Sequence, residues 1–544
     1  FKLILFSIKQ INLNQKTLLL ILSNPVSILL SMVYVLIFAF FVYLEFSLLT
    51  LMIYGSINNN HFSWKTAVKK TLFKTRKLFG PQMILFILYI LAIIPISNLG
   101  LNSIILEKIH IPDFLIAEGT KTGLGFILIS AAYIILIYIN YRLFFLLPLV
   151  ASNNNSLFKN SLLSLKITKI EKLRVPLTFL AIGILLFGMY LITGFLITII
   201  FNIIDPQAKN MILTLIFITI IKVLKLMFIL FTKIAMITAI VVIIEKNKAF
   251  ADDIVNHTPE DSFKTKTRIF WGIIILIGYI IYNGLLITNN ELNESVYAIS
   301  HRGDVTNAVE NSLEALENAN KKGADFVEMD IVLTKDNKFV VSHDFNLRRL
   351  ANKNSYIYNL NLNEIVGIKT RQDGNEGKYV SFDEYVEKAK KLGQKLLVEV
   401  KLHGKEPKDM ANIVVNKFKE LGIEKQYMIV SLDLKLVEEI KKIMPEAQVG
   451  YIIPLLLGDL PDTNLDFYAL EDFSYNESLA IQAKVKNKKL MIWTINDIIK
   501  IRKYLRQPVD GIITDELNEL KAEKRYLKEN NTYFDKYIRI ITNI

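Results

Sequence analysis

Hydrophobic positions divide the chain into two halves near residue 290. In the first half Ile, Leu and Phe run on for the length of a bilayer crossing, which takes about 20 apolar residues. Residues 26–54, 123–150, 175–204, 211–244 and 269–288 meet that requirement, and 81–97 is the shortest candidate. About six spans are therefore expected. The run 211–244 is overlong: at about 1.5 Å per residue it reaches roughly 50 Å, against a hydrocarbon core near 30 Å. It also holds Lys222, Lys225 and Lys233, which need polar company or room to snorkel. Glu45, Asn140 and Arg142 are expected in helix–helix or headgroup contacts, in preference to a lipid or ion path.

The connecting segments alternate in charge. Residues 64–78, 151–174 and 245–268 are rich in Lys and Arg, whereas 100–122 and 205–210 hold few. By the positive-inside rule the three basic loops are cytoplasmic, which places the residues after 288 outside. The same count puts the start of the chain outside, so an earlier span is expected before Phe1. No cleavable signal peptide is recognisable. Residues 64–78 and 157–174 are also amphipathic enough to lie along the inner interface.

After a polar linker at 289–295 the pattern changes to short apolar strands separated by amphipathic helices. Strands are expected at 296–300, 326–333, 395–401, 428–431, 449–453, 467–470, 490–494 and 511–514, with an extra hairpin strand at 339–342. Helix 312–322 has Asn311 as its candidate N-cap and Gly323 as its stop. Eight strand–helix units in about 250 residues predict a TIM barrel over 291–544, following a helical transmembrane domain over 1–290. A doubly wound sheet is the alternative, but it would not gather polar residues from the ends of so many strands.

Composition narrows the chemistry. The chain has 544 residues, 52% of them hydrophobic, and no cysteine, which excludes disulfides, thiolate catalysis and Cys-ligated metals. The net charge of +13 lies largely beside hydrophobic runs, so anionic lipid headgroups account for it better than nucleic acid, for which there is no reading motif.

Within residues 300–344, His301 and His343 each end a strand-like run, and between them lie Glu328 and Asp330. Positions i and i+2 of a strand share a face, so these two carboxylates can grip one cation. Arg302 is a permanent cation suited to phosphate. Glu399 adds a third oxygen ligand, and such a set suits Mg²⁺ or Ca²⁺. Two proton carriers, hard metal ligands and a phosphate clamp outline a phosphoryl-transfer site.

The ordered motifs HRG (301–303), ENS (310–312), EMD (328–330), HD (343–344) and EVK (399–401), with WTIND (493–497) and DGIITDE (510–516), make residues 296–520 resemble the glycerophosphodiester phosphodiesterase family. The first half resembles the membrane domain attached to this enzyme in some Gram-positive bacteria. The resemblance implies His301 and His343 as the general acid/base pair and Glu328, Asp330 and Glu399 as metal ligands. Arg302 and Lys401 would hold phosphate, Trp493 would wall the glycerol pocket, and Glu310 and Asn311 would support. His403 is read as incidental, and Asp515 as support for the barrel rim. The implied activity is hydrolysis of glycerophosphodiesters to glycerol 3-phosphate and an alcohol, by a multi-pass membrane protein with its catalytic domain outside the cell. Two other readings stay open: a phospholipase of a related barrel, and a transporter or scaffold with an inactive barrel.

Overall fold

The computed structural model describes residues 23–78, 82–93, 123–251, 265–287, 295–529 and 532–542, with a few isolated residues beyond them. Most of the expected loop 100–122, of the linker 289–295 and of 251–264 lies outside the described residues. Two compact units form, one built mainly from residues 28–289 with 531–544, the other from 290–530 with 2–27.

The first unit is helical: α1 (Pro25–Ile57), α2 (Trp64–Lys74), α3 (Gln82–Ile93), α4 (Gly123–Arg142), α5 (Leu146–Ser152), α6 (Leu157–Ile170), α7 (Arg174–Ile204), α8 (Met211–Lys246) and α9 (Thr265–Ile287). Among the described residues four helical stretches are long and apolar enough to cross a membrane: α1, α4 with α5, α7 and α8. Helix α3 has 12 residues, about 18 Å, and is too short as described to span by itself. The expected single run 123–150 is broken into α4 and α5. Pro148 has no N–H to return to the carbonyl of residue 144, so the helical ladder is interrupted there. Ser164 answers the break, donating to the Arg142 carbonyl at 2.9 Å and accepting from the Phe145 N–H at 3.2 Å.

The polar residues of these helices bond to other helices. The Glu45 carboxylate pairs with Lys233, Asn140 donates to the Ala92 carbonyl at 2.9 Å, and Arg142 donates to the Leu165 carbonyl at 2.7 Å. Lys74, in the basic segment 64–78, is buried and donates to the Ala151 carbonyl at 2.8 Å.

The second unit is a closed parallel barrel of β1 (Tyr297–Ser300), β2 (Phe326–Leu333), β3 (Leu396–Lys401), β4 (Met428–Ser431), β5 (Gln448–Ile453), β6 (Phe467–Glu471), β7 (Lys489–Trp493) and β8 (Gly511–Thr514), with β8 pairing back onto β1. Closure excludes the doubly wound alternative. Alternate residues face inward: Ile299, Phe326, Leu397, Met428, Val430, Phe467, Ala469 and Met491 fill the lumen. Val327, Met329, Val398 and Val400 face outward into the larger core beneath the helices. Gly450 makes room for this filling, since a Cβ there would lie 2.2 Å from the Phe467 ring. The edge strand Phe339–Val341 runs antiparallel to β2 as expected, and an unforeseen hairpin, Lys369–Gln372 with Asn375–Lys378, follows it.

Helix α10 (Leu313–Lys321) corrects the expected cap: Ser312, not Asn311, accepts from the Ala315 N–H. Asn311 has a positive φ of 58° and its amide is spent on Asp330.

A C-terminal helix, α11 (Tyr533–Thr542), packs within the first unit on the α7–α8 hairpin. Tyr537 donates to the Leu191 carbonyl at 2.7 Å and Tyr533 to Asp205 at 3.1 Å. Gly194 is the seat, since a Cβ there would lie 2.4 Å from the Tyr537 ring. Ten residues are too few to stay helical in water without such packing. Gly194→Leu should therefore unseat α11, and limited proteolysis should cut within 533–542 while the native chain resists; equal resistance would contradict this packing.

Candidate active site

The register of the barrel brings the acidic residues together. Glu328 and Asp330 lie two apart on β2, both turned into the lumen, and Asp330 stands directly opposite Glu399 on β3. Ligand atoms of the three carboxylates lie within 4.8 Å of one another, and all three residues are buried. Three buried like charges need compensation. Lys401, two residues beyond Glu399 on the same face, puts its ammonium 2.6 Å from Glu399 and 3.2 Å from Asp330. From β1, the Arg302 guanidinium approaches Asp330 at 3.5 Å, and its backbone N–H donates to Glu328 at 2.8 Å. Arg302 itself has a positive φ of 55°.

Compensation is uneven. Burial first and the Asp330 charge second push the Glu328 carboxyl well above the ordinary range. Burial works on Asp330 in the same sense, but Lys401, His343 and Arg302 together hold it far below that range. Asn311 fastens Asp330 in place, donating to its carboxylate at 2.8 Å and accepting from its N–H at 3.1 Å. The other carboxylate oxygen, Asp330 Oδ1, is buried, with the Lys401 ammonium 3.2 Å away but not in hydrogen-bonding geometry. A cluster of three buried carboxylates whose ligand atoms lie this close fits a divalent cation.

The two histidines sit at the ends of β1 and the Phe339–Val341 strand, each on its own carboxylate. His301 Nδ1 lies 2.7 Å from Asp515, which follows β8 and is itself held by Asn496 at 2.6 Å. Burial disfavours the His301 imidazolium, but Asp515, aided by Glu328, outweighs it and holds the pKa above its ordinary value. His343 Nδ1 lies 2.9 Å from Asp344, yet burial and then the Lys401 ammonium hold its pKa below the ordinary value. Environment thus separates two chemically identical groups in opposite directions.

Behind the histidines runs an ion-pair chain. Arg349 donates to Asp344 at 2.6 Å and to Glu310 at 2.5 and 3.0 Å, and Glu310 also accepts from Arg302 at 3.2 Å and Gln372 at 3.2 Å. Glu310 therefore holds Arg302 and stands outside the three-carboxylate cluster. Trp493 faces the lumen and its indole donates to the Ala469 carbonyl at 3.0 Å. His403 lies apart, against Phe345, Tyr358 and Glu406.

Asp344, Arg349 and Gln372 were not foreseen. Asp344 was visible as the neighbour of His343, and Arg349 follows it by five residues. Gln372 reaches Glu310 from the unforeseen hairpin.

Residues 1–280 match the membrane domain of glycerophosphoryl diester phosphodiesterase, and residues 301–519 match the glycerophosphoryl diester phosphodiesterase family. The chain belongs to this family. The glycerophosphodiester phosphodiesterase of Caldanaerobacter subterraneus subsp. tengcongensis is 27% identical over 226 residues, covering 40% of this chain and 93% of that protein. A lysophospholipase D of Homo sapiens is 43% identical over 67 residues, 12% of this chain and 21% of its own. The solved Oleispira antarctica phosphodiesterase in complex with sn-glycerol-3-phosphate covers 41% of this chain and 95% of that one, at 20% identity and a TM-score of 0.37.

The resemblance drawn from the motifs holds, and this phosphodiesterase is a phosphoric diester hydrolase with a membrane-type helical domain. In it the Glu310–Arg349 pair joins the acid cluster to His343. Arg349→Met would strip two charge-assisted bonds from buried Glu310, costing about 3 kcal/mol of folding stability. In urea unfolding of the solubilised chain, Glu310→Gln combined with Arg349→Met should cost less than the two single losses added; additive losses would contradict the coupling.

Proposed function

We propose that this phosphodiesterase is a multi-pass membrane protein that hydrolyses glycerophosphodiesters outside the cell with a bound divalent cation. Residues 1–290 form its membrane domain and 291–544 carry its catalytic domain, except for α11, which packs within the first unit. The observation that carries the reading is the convergence of Glu328, Asp330 and Glu399 beneath two histidines of opposite pKa shift.

The three carboxylates would hold the ion, Mg²⁺ or Ca²⁺, for which an all-oxygen set is suited. When bound, it polarises a phosphoryl oxygen and lowers the pKa of a hydroxyl or water. Arg302, fixed by Glu310, and Lys401 meet the non-bridging oxygens as negative charge develops. The acid and base follow from the two environments. His343, easier to deprotonate, takes the proton from the attacking hydroxyl, and His301, kept protonated by Asp515, gives one to the leaving alkoxide. Asp515 is a positioning residue that keeps the His301 ring oriented and charged. Trp493 offers an apolar wall for glycerol.

The membrane reading rests on the four long apolar helices and the basic loops between them. With the barrel outside, polyglycerol-phosphate chains and lipid headgroups are the phosphodiesters within reach of a tethered site. The local similarity to a lysophospholipase D supports a second reading, cleavage of a lysolipid headgroup.

Three measurements test this reading. Activity on glycerophosphoglycerol polymer and glycerophosphocholine should vanish with EDTA, return with Mg²⁺ or Ca²⁺, and fall about 10²–10⁴-fold in His301→Ala and His343→Ala. Release of a fatty-acyl glycerophosphate from lysophosphatidylcholine, with neither water-soluble diester cleaved, would favour the lysolipid instead. The pH profile should be bell-shaped. Because His301 acts in its protonated form, Asp515→Asn should move the alkaline limb to lower pH by about one unit and leave the acid limb in place. An acid-limb shift would reverse the two roles. Finally, protease added to intact cells should digest residues after 295 and spare the 151–174 loop; the opposite pattern would put the barrel inside.

A further inference from the structure

The end of the barrel where its strands begin carries charge that the catalytic end does not use. Strand alternation continues below the filled lumen. Counting back two residues from Leu397 and from Met491 puts Lys395 and Lys489 on the inward side, level with the inward-facing Phe326 and Tyr297. A barrel interior is ordinarily filled by branched apolar side chains. Here the Lys395 ammonium lies 5.8 Å from the Phe326 ring and the Lys489 ammonium 5.5 Å from the Tyr297 ring. Both help line a cavity of about 730 Å³, as do Lys390 and Lys425 from the segments leading into β3 and β4. Among the described residues no carboxylate lines it, and Glu424, which precedes Lys425, is not on its wall. Asp325, Asp466 and Asp510 stand at the same end, but each accepts from a backbone N–H, of Ala298, Val449 and Leu490 respectively, at 2.7, 2.8 and 2.7 Å. Asp466 also pairs with Lys441. Lys395, Lys425 and Lys489 have no ion pair among the described residues.

Four ammoniums around one opening repel one another, and a bound anion relieves that repulsion. Lysine is a point charge suited to phosphate, and a phosphate offers oxygens to donors that arrive from several strands, where a carboxylate offers two. The cavity volume falls in the range of small-molecule sites and exceeds what an inorganic phosphate fills. We propose that this cavity binds a water-soluble organic phosphate, its phosphate met by Lys395, Lys425 and Lys489 and its organic part by the Gln448 side of the wall. The site is separate from the catalytic centre. Lys395 and Lys401 are six residues apart along the β3 strand, about 20 Å at roughly 3.3 Å per residue. It goes beyond the hydrolysis proposed above and does not depend on it.

Acetic anhydride labelling of the detergent-solubilised full chain, read lysine by lysine by mass spectrometry, tests the site with glycerol 3-phosphate and glucose 6-phosphate against sodium chloride of equal ionic strength. A ligand at ten times its Kd leaves about a tenth of the sites open, so acetylation of Lys395, Lys425 and Lys489 should fall about tenfold with at least one of the two phosphates. Exposed Lys442 and Lys484 should stay as reactive as before. Lys395→Gln with Lys489→Gln should abolish the protection of Lys425, Arg at both positions should keep it, and both variants should cleave glycerophosphocholine as the unmodified chain does. Equal labelling with and without either phosphate in the unmodified chain overturns the proposal whether or not a variant folds. So does protection matched by sodium chloride, or protection of Lys425 that survives the double Gln change. Protection by phosphatidylglycerol and by neither soluble phosphate overturns it too, since that would mark a headgroup site. Labelling needs no turnover, so its outcome is independent of the hydrolytic reading.

Discussion

Glu328, Asp330 and Glu399 are crowded into a barrel mouth from which water is largely excluded, and the rest of the catalytic half is arranged around the electrostatic cost of that crowding. Strand alternation puts the first two on one face and the parallel register of β2 with β3 adds the third. Protein cations meet the cost in part. Arg302 and Lys401 approach from the ends of neighbouring strands, while the Arg302 N–H donates to Glu328 and the Asn311 amide to Asp330. What remains is excess negative charge, which shows in a Glu328 that resists ionising and which a divalent ion would offset.

The same electrostatics sort the histidines. His301 sits on the far side of the cluster from Lys401, against Asp515, and stays easy to protonate. His343 feels Lys401 directly, and its own partner Asp344 is shared with Arg349. One lysine thus neutralises the acid cluster and sets one imidazole apart from the other. The ion-pair chain from Asp344 through Arg349 and Glu310 to Arg302 ties Arg302 and His343 into a single unit.

Much of this was legible in the sequence because it depends on short-range periodicity. Strand alternation located all eight barrel strands to within about a residue at either end, and the i, i+2 spacing in EMD put Glu328 and Asp330 on one face. Tertiary demands accounted for the misses. Asn311 has the right chemistry and position for a helix cap, but the need to secure Asp330 took its amide, and the cap fell to Ser312. Lys74, within a segment read as a basic cytoplasmic loop, instead satisfies a carbonyl of the broken α4–α5 run. The Arg349–Glu310 pair joins residues 39 apart, and Gln372 arrives on a hairpin whose residues, KTRQ and NEGK, carry no apolar alternation.

The central claim is that the three carboxylates form one cation site. The most direct measurement is anomalous diffraction from crystals of the chain soaked in Mn²⁺ or Ca²⁺. The account predicts a single strong peak about 2.1–2.6 Å from oxygens of Glu328, Asp330 and Glu399, with the Lys401 ammonium displaced from between the last two. A map with no peak there, and Lys401 still bridging Asp330 and Glu399 at saturating metal, would contradict it.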